Sequence, residues 1–471
     1  MLASAVEPHV GQSDAARRGS TRSVTGQGPG MAAPLRFALV GLLVGCSNLG
    51  LLSQTLSIKA AGGGNLFSIR DVFLFAFLAL GATSPLLPRR GPVCPLLVYI
   101  SIAALATIPL ACVGYLHGSE TRDMLSETLP AVGWLTAVIS AALIRGRADI
   151  RFLANTYLII GVLMAVGVFA EAMFHVPLVT GSNTKQTLTK DYVGIARSTP
   201  SCWPVMIIAA CLLIAKSSDK GQAARRWKFV WPTLLFFVAC ACILTQSRTL
   251  LVGLVVGAGT ALFALKRSWL PHMVMYAAIL GFGWIATMYV GERYAGSHFT
   301  DYMNLRYSTM FNDEQSGNYI QTEARPQETK AFFANPGPWL LVGSGLGEPL
   351  WRLNDAMPSY SVQSDVGFVQ VGSRYGVLGL LMLGAMLWYG IVWLYRVRRA
   401  QVSEGWVPAG LASAFIALWV CGIFFANIWG TAYMSPPFMI LLGALVAWAE
   451  QNSLVTRKDN HLHAFVSQTK H

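Results

Sequence analysis

Charged residues are scarce in this chain. Only 12% of it is Asp, Glu, Lys or Arg, against roughly a quarter in soluble domains. The deficit extends over most of the length, which excludes an ordinary soluble enzyme. Cysteine is sparse as well. Cys46, Cys94, Cys112, Cys202, Cys211, Cys240, Cys242 and Cys421 all lie in or at the edge of apolar stretches, and none falls between residues 291 and 361. That placement yields neither a disulfide framework nor a zinc-ligand spacing. Cys240 and Cys242 stand two apart, on different faces of a helix, where packing is the plain role. Short alternating strands are missing, which excludes a β-barrel. No DxD pair and no histidine-rich ligand set is present, so neither a metal nor any other cofactor is expected. No internal repeat is visible.

What is present is apolar mass: 54% of the residues are hydrophobic and the mean hydropathy is +0.50. A bilayer span takes roughly 20 predominantly apolar residues. Twelve such windows begin near Leu35, Leu66, Val93, Met124, Phe152, Pro200, Phe229, Thr249, Leu270, Val362, Pro408 and Thr431. Backbone groups in lipid must be paired within the segment, so these read as helices. The tenth window is long enough for a short half-helix followed by a full span. The expected fold is all-α: a polytopic transmembrane helical bundle of about twelve spans with one large outer loop.

Lys and Arg set the orientation. With the N-terminus inside, the inner connections collect Arg89 and Arg90; Arg145, Arg147 and Arg151; Lys216, Lys220, Arg225, Arg226 and Lys228; Lys266 and Arg267; Arg396, Arg398 and Arg399. The outer side is then slightly acidic. The net charge of +13 is therefore topology rather than a nucleic-acid footprint, and no nucleic acid is expected as partner. The organisation follows: a disordered inner tail over 1–33, nine helices over 34–290, an outer loop over 291–361, three helices over 362–450 and a polar inner tail over 451–471. Met31 stands just before the first window and is an alternative start. Leu43-Val44-Gly45-Cys46 has the form of a lipoprotein processing box, but eleven further spans favour an uncleaved first helix.

The loop over 291–361 stands out, because loops of this length inside a compact domain usually serve function. It holds Arg293, Arg306, Arg325, Lys330 and Arg352 among many carboxylates. Three places put charge where apolar residues belong. Thr245-Gln246-Ser247-Arg248 forms a very short outer turn between two apolar windows. Arg248 there either snorkels to lipid phosphates or presents paired donors to a phosphate in a central cavity. Glu323-Ala324-Arg325 through Glu328-Thr329-Lys330 leads to Asn335-Pro336 and Gly343-Ser344-Gly345-Leu346-Gly347. Those glycines lack the strand and helix of a dinucleotide site and, taken alone, read as a flexible turn. Ala331-Phe332-Phe333 beside charge suggests a short helix at the membrane surface. Finally, Ser364-Asp365 opens the tenth window and Arg374 lies nine residues deeper. Asp365 is either a helix-start residue or a catalytic group, and Arg374 is expected to face the interior and a partner. Asp71, beside Arg70, and Glu171 rank below these.

Taken in order, Ser247-Arg248-Thr249-Leu250-Leu251, the loop arginine, Asn335-Pro336 with the glycine cluster, and Ser364-Asp365 followed by Gly376-Val377-Leu378-Gly379 resemble the O-antigen ligase/polymerase family of polysaccharide assembly. The likeness covers about residues 245–383; the N-terminal half is similar only in general character. It implies a GT-C-like membrane glycosyltransferase that needs no metal and takes undecaprenyl-diphosphate-linked oligosaccharide at the periplasmic face of a bacterial inner membrane, with both termini cytoplasmic. Arg248 matches the family's turn arginine and Arg325 its loop arginine. Ser364-Asp365 falls where ligases of that family carry a His-Asn pair. The departure points to a polymerase, a type that often works beside a chain-length regulator.

The chemistry agrees from the residues up. A lipid diphosphate needs cationic stabilisation as it leaves, which Arg248 and Arg325 supply. The acceptor hydroxyl needs a base within reach, and Asp365 is the candidate. Ser247, Ser364, Arg374, Arg352 and Arg306 are the candidates for holding substrate. Two alternatives stay open: a ligase that passes a finished glycan to a lipid or protein, and a transporter of lipid-linked sugars. A transporter usually shows two related halves and charges near the bilayer midplane, neither of which is visible here.

Overall fold

The computed structural model describes residues 31–47, 58–59, 65–84, 94–174, 178, 202–218, 229–245, 247–266, 269–294, 298–308, 328–334, 337, 339–347, 364, 366–400, 406–432 and 434–468. Apart from a two-stranded ribbon, Ile58–Lys59 against Asn65–Phe67, these residues are helical or turn. The helices are α1 Ala33–Cys46, α2 Ile69–Ala82, α3 Pro95–Leu116, α4 Thr121–Leu143, α5 Arg147–Phe174, α6 Trp203–Ser217, α7 Val230–Leu244, α8 Arg248–Ala264, α9 Trp269–Tyr294, α10 Phe299–Ser308, α11 Trp339–Val342, α12 Gly367–Arg399, α13 Trp406–Phe424 and α14 Ser435–Gln468. A further helical stretch covers 328–334.

Local sequence explains where many of them start. Proline occupies the first turn of α1, α3 and α6, where its missing N–H would have no partner anyway. Ser68 and Asp71 form a reciprocal cap on α2: the Ser68 N–H donates to Asp71 Oδ2 at 2.9 Å, so orphan donors are satisfied at that end. At the far end of the chain no proline follows Pro437 and no glycine follows Gly443. The polar tail expected after residue 450 therefore continues α14 as helix to Gln468. Of the N-terminal tail expected to be disordered over 1–33, the described part begins at Met31, which is buried and donates its N–H to Asp149 Oδ1 at 3.1 Å. Residues before it lie outside the described set.

Each of the twelve apolar windows holds a helix. Among the described residues six helices are long and apolar enough to cross a membrane: α3, α5, α12, α13 and the spans Asp123–Leu143 and Leu270–Arg293. Four more apolar helices, α1, α6, α7 and α8, are 14–17 residues long. At 1.5 Å per residue they reach only about 21–26 Å, short of the ~30 Å hydrocarbon core. The chain is an all-helical membrane protein.

Burial sorts the helices into centre and rim. In α6 every residue from Trp203 to Ala215 is buried, and α13 and the first part of α14 are buried nearly all round. A helix apolar on every side belongs at the core. Around these pack α4, α5, α8 and α12. α3 and α9 form the rim. They expose Val98, Ile102, Leu105 and Ile108, and Leu270, Val274, Phe282, Ile285 and Tyr289. Apolar surface of that extent has lipid as its natural solvent.

The stretch 291–361, read as one long loop, is partly helical: α9 runs on to Tyr294, and α10, 328–334 and α11 follow within it. The half-helix expected at the tenth window is present. α12 is broken at Gly376 (φ 59°, ψ −146°), a conformation open in practice only to glycine.

Candidate functional site

The break in α12 organises the polar interior. Its first half, 367–375, carries Gln370, Ser373 and Arg374, all buried. Arg374 meets Glu127 of α4: Nη2 lies 2.8 Å from Glu127 Oε1 and Nε donates to the same oxygen at 2.9 Å. Gln370 Nε2 donates to Oε1 at 2.9 Å, and the Gly347 N–H donates to Oε2 at 2.5 Å. Four donors on one carboxylate nearly fill its lone-pair sites, so Glu127 is a fastening rather than a base. Arg374 Nη1 also donates to Ser344 Oγ at 3.3 Å. The arginine thus faces the interior and a partner, as its depth led us to expect. Its guanidinium is committed to Glu127 and Ser344, and the hollow beside it, lined by Trp134, Leu346, Tyr375 and Trp429, admits little more than a water molecule.

The glycine cluster 343–347 is a wedged strap, which corrects its reading as a flexible turn. Gly343, Gly345 and Gly347 all have positive φ (88°, 93° and 78°). A Cβ on Gly343 would lie 2.1 Å from the Arg374 carbonyl oxygen, and one on Gly345 would lie 2.8 Å from the Gly114 nitrogen. The strap also bonds on both sides. Ser344 N–H donates to the Ser373 carbonyl at 2.9 Å, and Leu346 N–H to the Leu110 carbonyl at 3.1 Å. It therefore links α3, α4 and the broken α12, and its Ser344 N–H satisfies the Ser373 carbonyl beside the break.

A second cluster lies beside the first. Ser364 Oγ donates to Glu328 Oε2 at 2.5 Å, both residues being buried. Ser364 N–H donates to Gln370 Oε1 at 2.7 Å, and Ser364 Oγ accepts the Val366 N–H at 2.9 Å. The stretch 328–334 is the short helix expected around Ala331-Phe332-Phe333. Ala331 and Phe332 pack on Trp339, Val366 and Val369, while Phe333 stays exposed. Gln370 bonds both clusters, so the segment just after Arg325, the residue just before Asp365 and the Glu127–Arg374 pair form one connected network.

Ser247 and Arg248 head α8 at the same end of the bundle. Cys421 Sγ contacts the Thr249 carbonyl at 3.3 Å, and a Cβ on Gly367 would strike the Gly422 carbonyl at 1.9 Å. The end of α13 thus separates the start of α8 from the start of α12 by about one helix width. Ser247 is the buried N-cap of α8, and Arg248 is half-buried in its first turn. Arg306 is in α10. Arg325, Arg352 and Asp365 lie outside the described residues. Sequence reasoning singled out neither Glu127 nor Gln370, and took Glu328 only as part of a charged run. The one signal for Glu127 was a carboxylate inside an apolar window.

Two other buried carboxylates are paired with arginines. Arg70 binds the neighbouring Asp71. Arg36 Nη2 lies 2.9 Å from Asp149 Oδ1, tying α1 to α5. Among the described residues no group of three or more His, Cys, Asp or Glu is placed to hold a metal, and the eight cysteines are free thiols.

The fold and this site define an integral membrane protein of helices with a connected polar network at one end of the bundle. No protein-family model matches the chain, and no curated protein is significantly similar to it.

Proposed function

We propose that this chain is a membrane glycosyltransferase of polysaccharide assembly, a polymerase of the O-antigen ligase/polymerase type. It takes undecaprenyl-diphosphate-linked oligosaccharide and passes the glycan to the next lipid-linked repeat unit. The observation that carries the reading is the buried Ser364–Glu328 contact. Residues 36 apart in sequence meet there, and they neighbour the two groups that the resemblance picks out, Arg325 and Asp365. Arg248 approaches the same end from α8.

In this reading the acceptor hydroxyl oxygen attacks the anomeric carbon, the bond from that carbon to the phosphate oxygen breaks, and the hydroxyl proton passes to Asp365. Arg248 and Arg325 stabilise the departing diphosphate as its charge develops. Lowered dielectric at the membrane edge strengthens that attraction. Glu127, Arg374 and the glycine strap hold the broken α12 so that the Ser364-Asp365 end keeps one position. The finer topology belongs to the same reading: about twelve spans, with α1, α2, α6, α7 and α8 crossing a locally thinned bilayer, a GT-C-like arrangement, both termini cytoplasmic and 291–361 at the periplasmic face of a bacterial inner membrane. A chain-length regulator is a natural partner. Ser364-Asp365 in place of a His-Asn pair favours polymerase over ligase, and charges gathered at one end of the bundle disfavour a transporter.

The test is the glycan profile of a deletion strain complemented with variants. Arg248→Ala and Arg325→Ala should each collapse the ladder to single repeats, with the lipid-linked unit accumulating. Arg248→Lys should rescue poorly, because a point charge does not replace a two-pronged donor. Asp365→Asn should lower the yield of polymer by about a hundredfold, the lower end of a general-base contribution of roughly 10²–10⁴. A full ladder stranded on the carrier would instead identify a ligase, and loss of repeats from the outer leaflet a transporter.

A further inference from the structure

Away from this network, α8 and α12 end side by side, and the space between their C-termini is a pocket lined by Phe263, Lys266, Tyr395, Arg398 and Arg399. Its volume of about 350 Å³ lies at the lower end of the roughly 300–1,000 Å³ of small-ligand sites. Three of its five walls are cations, and among the described residues no carboxylate forms an ion pair with any of them. The two helix C-termini contribute about −0.5 charge each, which leaves the pocket strongly positive. It is also ordered. Arg398 lies over the Phe263 ring at 4.0 Å, and Phe263 meets Tyr395 edge-on at 5.4 Å. Lys266 has φ 51°, the one non-glycine with positive φ among the described residues. A lysine there is strained.

Apolar surface leads away from the cations. On α12 the exposed positions Leu381, Trp388, Ile391 and Tyr395 form a single stripe that ends at Arg398 and Arg399. On α8, Val255 and Gly259 lie on the stripe ending at Phe263 and Lys266. Gly259 and Gly384 each have open space where a side chain would begin. Cations at the base and unfilled apolar stripes above match an amphiphile with an anionic head.

We propose that this pocket is a binding site for an anionic phospholipid. Its phosphate is held by Lys266, Arg398 and Arg399, and its acyl chains lie along the α8 and α12 stripes. The site is separate from the proposed transfer chemistry and does not depend on it.

The test uses the full chain, purified in detergent and titrated with mixed micelles containing phosphatidylglycerol or phosphatidylcholine. Saturable binding of phosphatidylglycerol alone is expected. K266Q/R398Q/R399Q should weaken it about a hundredfold, from a contribution of roughly fivefold per cation. K266G provides an arm that keeps the fold, since glycine relieves the positive φ. It should melt no lower than the natural protein yet bind the lipid about fivefold more weakly. Unchanged binding in both variants would overturn the proposal. So would equal weakening by R225Q/R226Q/K228Q, which would mean bulk charge alone, or equal displacement by inorganic phosphate, which would mean a free-phosphate site.

Discussion

Glu127 is the residue on which the polar interior turns. It binds Arg374, Gln370 and the Gly347 N–H, and both it and Arg374 are almost fully buried. Removing one partner of such a pair leaves a charge in low dielectric, at a cost of about 3–5 kcal/mol. Glu127→Ala should therefore lower the unfolding midpoint in detergent sharply, whereas Glu127→Leu combined with Arg374→Met should recover much of the loss, because an apolar pair avoids the desolvation penalty. A Glu127→Ala protein as stable as the natural one would show that the pair does not hold the strap.

At the scale of elements, the broken α12 and the glycine strap form one device. Gly376 sits at φ 59°, and a Cβ there would approach the Leu341 carbonyl carbon to 2.7 Å. Gly376→Ala should cost about 1–3 kcal/mol from backbone strain alone. Gly345→Ala should also destabilise, by driving the strap away from α3. Gly281→Ala is the control, since open space surrounds that position; it should gain about 0.5–1 kcal/mol. The three thermal midpoints measured side by side check this, and equal behaviour would rule out a wedged strap. The length of the tenth window suggested a half-helix followed by a full span, and the break at Gly376 bears that out. Nothing in five residues rich in glycine indicated that all three glycines would take positive φ, since that is decided by the carbonyls of α3 and α12 around them.

At the scale of the whole molecule, a buried core of α6, α13 and α14 stands inside a rim whose exposed side chains are apolar. The positive charges near the ends of α8 and α12, and the polar network at their beginnings, mark opposite ends of the bundle. Reporter fusions within 309–327 are expected to read the periplasm, and fusions within 219–228 the cytoplasm. The reverse pattern would remove the proposed transfer site from its substrate. Hydropathy alone found a helix at every one of the twelve windows, because an apolar run of that length has few other ways to satisfy its backbone. Helix length was less legible. α1, α6, α7 and α8, at 14–17 residues, are shorter than the windows that contain them.

Composition and periodicity by themselves determined that this chain is helical and belongs in a membrane, since scarcity of charge and the need to pair backbone groups are properties of each segment taken alone. The same local logic reached the half-helix and the short helix at Ala331-Phe332-Phe333. Which buried charges meet was decided only by tertiary structure. Glu127 and Arg374 are 247 residues apart, and no spacing rule relates two positions whose proximity depends on how α4 packs against a broken helix through an intervening strap.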